Sequence, residues 1–335
     1  MSSFFQRVLT FGLASLVLAS SAQASSSWVP FGGYNPTYGA FLGGGYFYKN
    51  PTFDFGSAAI ITFVSSYQLD LNSNLRTGLA HEIGFESKIS QGYERYYGLG
   101  TRNSPNGIDI FNRKVRAALF YSYAMTSEIN LGFMTELRTW REIFEKNPRA
   151  FFPQETTAAV SVFLENDYRD REASPTGGTY SRIDLRVVPS LLASDQNFDL
   201  LQLDAEIRRY FQIIESWVLA MAVRAGASSG EPTLRYQYQL GGSDRLRGYH
   251  QGRFRGRHFY ALETEVRFPL FWHLRGAVFG SAGSVFAQGL WGPTRYSGGF
   301  GLRLGLPPDF IQKARVDIAF GEDQWGVFVD FGLPF

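Results

Sequence analysis

Three groups of residues have types and spacings that could do chemistry. Gly226-Ala227-Ser228-Ser229-Gly230 fits the G-x-S-x-G pattern of serine hydrolases. That chemistry needs the serine on a strand-to-helix elbow, with a histidine base and an acid to orient it. Here the segment ends an alternating stretch and no helical pattern follows, so it reads as a small-residue turn. His81, His250, His258 and His273 are the four histidines. None has the short ligand spacing of a metal site. The third group is an arginine-rich stretch, Arg245, Arg247, Arg253, Arg255 and Arg257, followed by Glu263 and Glu265. Guanidinium groups grip carboxylates bidentately, and 27 of the 32 basic residues are arginine. The chemistry expected is ion pairing. No catalytic residue, metal or cofactor is assigned.

The elements that position these residues are strands. Leu201, Leu203, Ala205 and Ile207 alternate with Gln202, Asp204, Glu206 and Arg208. Ser181, Ile183, Leu185 and Val187 alternate with Arg182, Asp184 and Arg186. Tyr260, Leu262, Val266 and Phe268 share a stretch with Glu263, Glu265 and Arg267. Phe300, Leu302 and Leu304 flank Arg303, and Val316, Ile318 and Phe320 flank Arg315 and Asp317. A period of two is the mark of a strand. These strands are close to the ~9–11 residues that cross a bilayer. Apolar residues on one face with charged residues on the other fit a membrane barrel, lipid outside and a wet lumen inside. The pattern alone gives 14 antiparallel strands. Residues 66–109 have room for a further hairpin, which makes 16. Short turns alternate with long connections, as they do between periplasmic and extracellular ends.

The ends and the composition agree with export. Arg7, the apolar run 8–19 and Ala22-Gln23-Ala24 form a signal-peptide pattern. Three parts are expected: a signal peptide at 1–24, a short periplasmic segment at 25–38, and an outer-membrane β-barrel at 39–335. A net charge of +2 excludes a strongly basic nucleic-acid binder. With no cysteine, disulfides, thiolate metal sites and a cysteine nucleophile are excluded. The mean hydropathy of −0.14 argues against a helical membrane protein. Val327, Val329, Phe331, Leu333 and Phe335 are expected on one face of the last strand. Phe331, Leu333 and Phe335 resemble a C-terminal sorting signal read by the barrel-assembly machinery.

Several segments together resemble the BamA/TamA superfamily of outer-membrane barrels, also called the bacterial surface antigen family. Gly241, Gly242 and then Arg247-Gly248-Tyr249 match its (V/L)-R-G-(F/Y) loop tip. Asp167, Arg169, Asp170, Pro175 and Gly178 resemble its D-x-R-D…P-x-x-G turn, read as periplasmic. Glu265-Val266-Arg267-Phe268-Pro269 resembles its E-y-R-F-P strand. Phe279-Gly280-Ser281-Ala282-Gly283 follows its F-x-D-x-G strand, with Ser281 in the place of aspartate.

The resemblance covers roughly 38–335. It implies 16 strands and a loop, 229–256, folded into the lumen. It also implies that acidic groups of the wall bind Arg247. Glu263 and Glu265 are the candidates, with Glu265 the main one because Ser281 has no carboxylate. Arg267 and Ser281 complete the expected wall set.

Family members that insert or secrete proteins carry periplasmic POTRA domains, and 25–38 has no room for one. The function expected is assistance in inserting or exporting proteins or lipids. The alternative is a narrow or plugged pore without that activity. Outer-membrane lipids, lipopolysaccharide, the barrel-assembly machinery and a separate POTRA-bearing protein are the expected partners, with no nucleic acid. The first strand by the pattern count, 39–48, contains Gly43-Gly44-Gly45, which weakens its pairing at the seam with the last strand.

Overall fold

The computed structural model describes residues 25–335, except 36–38, 63–65, 78–79, 104–105, 144–153, 194–198, 231, 307–310, 332 and 334. The signal peptide expected at 1–24 lies outside the described residues. The strands in chain order begin with β1 (Ser25–Asn35), β2 (Gly39–Lys49), β3 (Phe53–Thr62), β4 (Tyr67–Thr77) and β5 (His81–Tyr96). Then come β6 (Ile108–Ala124), β7 (Ile129–Glu142), β8 (Glu155–Asp167), β9 (Gly178–Val188), β10 (Leu200–Ile214) and β11 (Trp217–Ser228). The rest are β12 (Tyr238–Leu240), β13 (Phe254–Gly256), β14 (His258–Phe271), β15 (Leu274–Ala287), β16 (Leu290–Trp291), β17 (Arg295–Leu306), β18 (Ile311–Gly321) and β19 (Trp325–Phe331).

Sixteen of these, all except β12, β13 and β16, form the wall. Each pairs antiparallel with the next, from β1 through to β19. β19 comes back to β1 with Cα atoms within 8 Å. Among the described residues no ladder of paired residues joins these two strands.

The pattern count of 14 missed two strands. One is β1, which occupies most of the segment 25–38 expected to be a periplasmic lead-in. It is paired along its whole length with β2, from Ser25↔Lys49 to Asn35↔Gly39. Its Ser, Gly and Pro content hides the period. The other arises because β3, β4 and β5 fill a stretch where the pattern gave two strands. The polar alternation of Asp70, Asn72 and Asn74 in β4 is a lumen face, and all three are buried.

Burial follows the reversed logic of a membrane wall. Leu201, Leu203 and Ile207 are exposed, while Gln202 and Arg208 are buried. Leu262 points out between the buried Ala261 and Glu263. Exposed aromatics collect at both rims. Phe271 and Trp272 lie at the short-turn end, and Trp291, Tyr296 and Trp325 at the long-loop end. Rings with one polar edge favour the two interfaces.

Leu262→Arg is expected to cost about 2–4 kcal/mol, the penalty for a cation on the lipid face near the bilayer midplane. The urea midpoint for refolding into lipid vesicles checks this. A midpoint equal to that of the unaltered chain would mean that this face does not meet lipid.

Inside, the long loop 229–257 folds into the lumen around its own small core. β12 and β13 pair as a hairpin. Tyr238, Leu240, Leu246, Tyr249 and Phe254 of the loop pack on Phe259, Ala261 and Val285 of the wall. This apolar contact carries the loop tip down to a cluster of buried charges.

Candidate functional site

Arg247 is fully buried in the lumen, and its guanidinium lies 3.5 Å from the centre of the Phe279 ring. Nη1 donates to Glu265 Oε2 and to Asp317 Oδ2, each at 2.9 Å. Neither carboxylate is alone with it. Glu265 accepts from Arg303 Nη2 at 2.7 Å and from Arg267 Nε at 2.8 Å. Asp317 also pairs with Arg303, and with Arg315 at 3.2 Å. Arg315 reaches on to Asp330 at 2.9 Å. Four guanidinium groups and three carboxylates thus form one buried network across β14, β17, β18, β19 and the loop tip. Ions this deep are held only when each has partners in good geometry.

The rest of the tip motif has a mechanical role. Gly248 has φ +104, and a Cβ there would sit 2.7 Å from the Phe320 carbonyl carbon. Only glycine permits both the left-handed backbone and this close approach. The Tyr249 hydroxyl donates to the Tyr296 carbonyl at 3.0 Å and accepts from the Glu322 amide at 2.9 Å. The tip is therefore tied to β17 and to the β18–β19 connection. Gly241 and Gly242 have φ near +103 and +104 and turn the chain into it.

Glu265 meets Arg247 directly. Glu263 is not part of the latch: it pairs with Arg224 of β11, whose Nε also holds Glu206 at 2.6 Å. Ser281 stands directly opposite Glu263 in the β14–β15 ladder. An aspartate there would face another carboxylate. The second carboxylate on Arg247 is Asp317. The strand alternation had placed Arg303, Arg315 and Asp317 on the inner face. It could not say that they meet Arg247, because that depends on strand tilt and register around the wall.

Arg267 has a second bond. Its Nη2 donates to the Phe335 carbonyl at 2.9 Å. Phe335 is buried against Tyr210, Ala220 and Ala222 on the far side of the lumen. The expected shared face of Val327, Val329, Phe331, Leu333 and Phe335 therefore does not extend through the last residues. β19 ends at Phe331, and Leu333 and Phe335 are both buried. An aromatic ring finds more partners there than on the wall.

The other loop arginines are also used internally. Glu94 accepts Arg235 at 3.2 Å, Lys114 at 2.7 Å and Arg255. Arg253 meets Asp323 at 3.2 Å, and Arg257 donates to the Ser228 carbonyl at 3.0 Å. Arg245 lies over the Phe259 ring at 4.9 Å.

The turn between β8 and β9 is closed by its own motif residues. Asp167 Oδ1 accepts from Arg169 Nε at 2.7 Å, and Asp170 accepts the Thr176 and Gly177 amides at 2.9 and 3.2 Å. Burial alone would raise the Asp170 carboxyl, but the Thr176 hydroxyl and these two amides hold it below its ordinary value. Pro175 is buried, and Gly178, at φ +99, restarts the wall.

The hydrolase-like segment is a strand end. Ser228 donates its amide to His258 Nδ1 at 3.2 Å, and its hydroxyl accepts from Gln202 at 2.8 Å. Among the described residues no group of three or more metal-binding side chains comes together.

Known proteins with this architecture are outer-membrane barrels. The BamA structure from Haemophilus ducreyi lacking POTRA domains 1–3 superposes with a TM-score of 0.65 at 13% identity. The match covers 99% of this chain and 76% of that one. CdiB from Acinetobacter baumannii gives 0.62 at 12% identity, over 94% and 60% of the two chains. CdiB from Escherichia coli gives 0.64 at 10% identity, over 97% and 67%. At these identities the likeness is one of fold. No curated protein matches the sequence. The sequence itself, over residues 61–328, matches the Omp85 superfamily domain, and with 16 strands around a latched loop the chain belongs to that superfamily of Gram-negative outer-membrane barrels.

Proposed function

We propose that this barrel assists the insertion or export of proteins or lipids at the outer membrane, and that it works through the seam between β1 and β19. The seam carries the proposal. The two strands lie side by side without a ladder among the described residues. β1 contains Pro30, which has no N–H to give, and proline within a sheet is confined to edge strands. On its other side β1 faces Gly43, Gly44 and Gly45 through Phe31, Pro30 and Val29. Glycine leaves little side-chain packing to hold that ladder. A strand held weakly on both sides can part from its neighbour and offer a free edge, which another strand can extend.

Lipids cover the apolar outer face, and lipopolysaccharide meets the long-loop rim. The last strand and tail, with Phe331, Leu333 and Phe335, serve the barrel-assembly machinery during biogenesis. A separate POTRA-bearing or periplasmic protein delivers the substrate.

The chain has no cysteine of its own, so a disulfide can be engineered across β1 and β19 without background. In liposomes the unaltered barrel is expected to speed the folding of a second outer-membrane barrel. The oxidised seam variant loses this, and reduction restores it. Equal folding rates with the seam locked and unlocked would refute the proposal.

One observation favours a second reading, a plugged barrel. The loop and the Phe335 tail both occupy the lumen. Ion conductance in planar bilayers, without any folding assistance, is the result that would support a pore.

A further inference from the structure

Beside the loop the lumen retains a cavity of about 560 Å³, lined by the wall from β4 to β11, by Phe259 of β14, and by Arg235–Gln239 and Arg245 of the loop. Glu82, Ser122 and Asn130 line it next to the short turns, so its mouth is at that end. The loop closes the opposite end.

Most cations in this chamber are neutralised. Arg116 has Glu86 at 2.8 Å, Arg182 has Glu165 at 3.1 Å, and Arg224 has Glu206 at 2.6 Å. Arg186, at the closed end, differs. Among the described residues it makes no hydrogen bond and no ion pair, and its Nε is buried without a partner. Asp204 on the neighbouring strand also makes no ion pair. It lies within the fields of Arg186 and Arg245 and beside the Tyr238 hydroxyl. The register pairs Arg186 with Gln202 and Asp184 with Asp204. Arg186 and Asp204 are therefore diagonal neighbours on one face, a relation that sets the residues about 7–8 Å apart with their Cβ atoms somewhat closer. Around them, Arg235 Nη2, Asp184 Oδ1 and Gln237 Oε1 are buried without partners and line the same cavity. The closed end thus presents donors and acceptors together, and one unpaired charge of each sign.

We propose that the closed end of this chamber binds a small zwitterion of dipeptide size, its carboxylate on Arg186 and its ammonium on Asp204. The cavity has room for more than a single amino acid. A dipeptide fills more of it, and its amide matches the nearby donors and acceptors. The site is independent of the seam.

Dialanine, N-acetylalanine and alaninamide are the probes, titrated by calorimetry against the full chain in lipid nanodiscs. Dialanine is expected to bind saturably. Arg186→Gln and Asp204→Asn should each weaken it on the order of tenfold, the loss of one charge-assisted contact. The two capped probes should lose a similar factor. Because neither residue holds an ion pair, both variants should keep the heat-modifiable gel mobility of a folded barrel. If one does not, Arg186→Lys replaces it and should still weaken dialanine, since an ammonium lacks the bidentate grip. Three results would each overturn the site: no saturable dialanine binding, equal binding of the capped probes, or unchanged affinity in the variants.

Discussion

Arg247→Ala is expected to lower the stability of the folded barrel by about 3–5 kcal/mol, the cost of removing one partner from a buried ion pair. The physical loss is not the arginine's own attraction. Glu265 and Asp317 are both inaccessible to water, and each shares Arg247 as a ligand. Removing it takes away one of the two cations they share and leaves Arg303 alone bridging both. The loop tip also loses its stacking on Phe279. Arg247→Lys should recover only part of the loss. One ammonium can reach both carboxylates, as Nη1 alone does here, but it has no plane to lie flat on the Phe279 ring. The urea midpoint, the heat-modified gel mobility and the single-channel conductance together read the outcome. If all three stay unchanged, the loop is not held by this latch.

Asp317→Asn is expected to be comparably severe, about 3–5 kcal/mol, although no family motif covers this position. Three guanidinium groups lose their shared counter-charge at once: Arg247, Arg303 and Arg315. Combined with Arg247→Ala, the effect should fall short of the sum by roughly 0.5–3 kcal/mol, because the second change removes a partner already lost. A double variant whose cost equals the sum within error would mean that Arg247 and Asp317 act separately.

The wall was largely legible in the sequence. Alternation at Leu201–Arg208 and Tyr260–Phe268 gave strand, face and lumen together, because a charged inner face and an apolar outer face leave a period that nothing else produces. It failed at β1, where Ser, Gly and Pro replace the alternating hydrophobes, and at β4, where asparagines on the inner face blur the contrast. The latch was half legible. Arg247 and Glu265 are near in sequence and fall in recognisable motifs. Asp317 is 70 residues from Arg247, and only the closing of the sheet brings them together. Arg186 and Asp204 sit in plain alternation, and nothing in one sequence marks them as lacking the partners that their neighbours have.

The order of the charged residues along the chain bears on how the barrel is built. Arg247 comes first along the chain. Glu265, Arg303, Arg315 and Asp317 follow, and Asp330 comes almost last. A chain that has not yet placed β18 and β19 holds Arg247 against only one of its two carboxylates, with Arg315 not yet in place. The lumen reaches its final charge state only when the last strand arrives. Completion of the wall is thus registered at its centre, and a barrel that stalls short of its final hairpin keeps a loop that has not been locked.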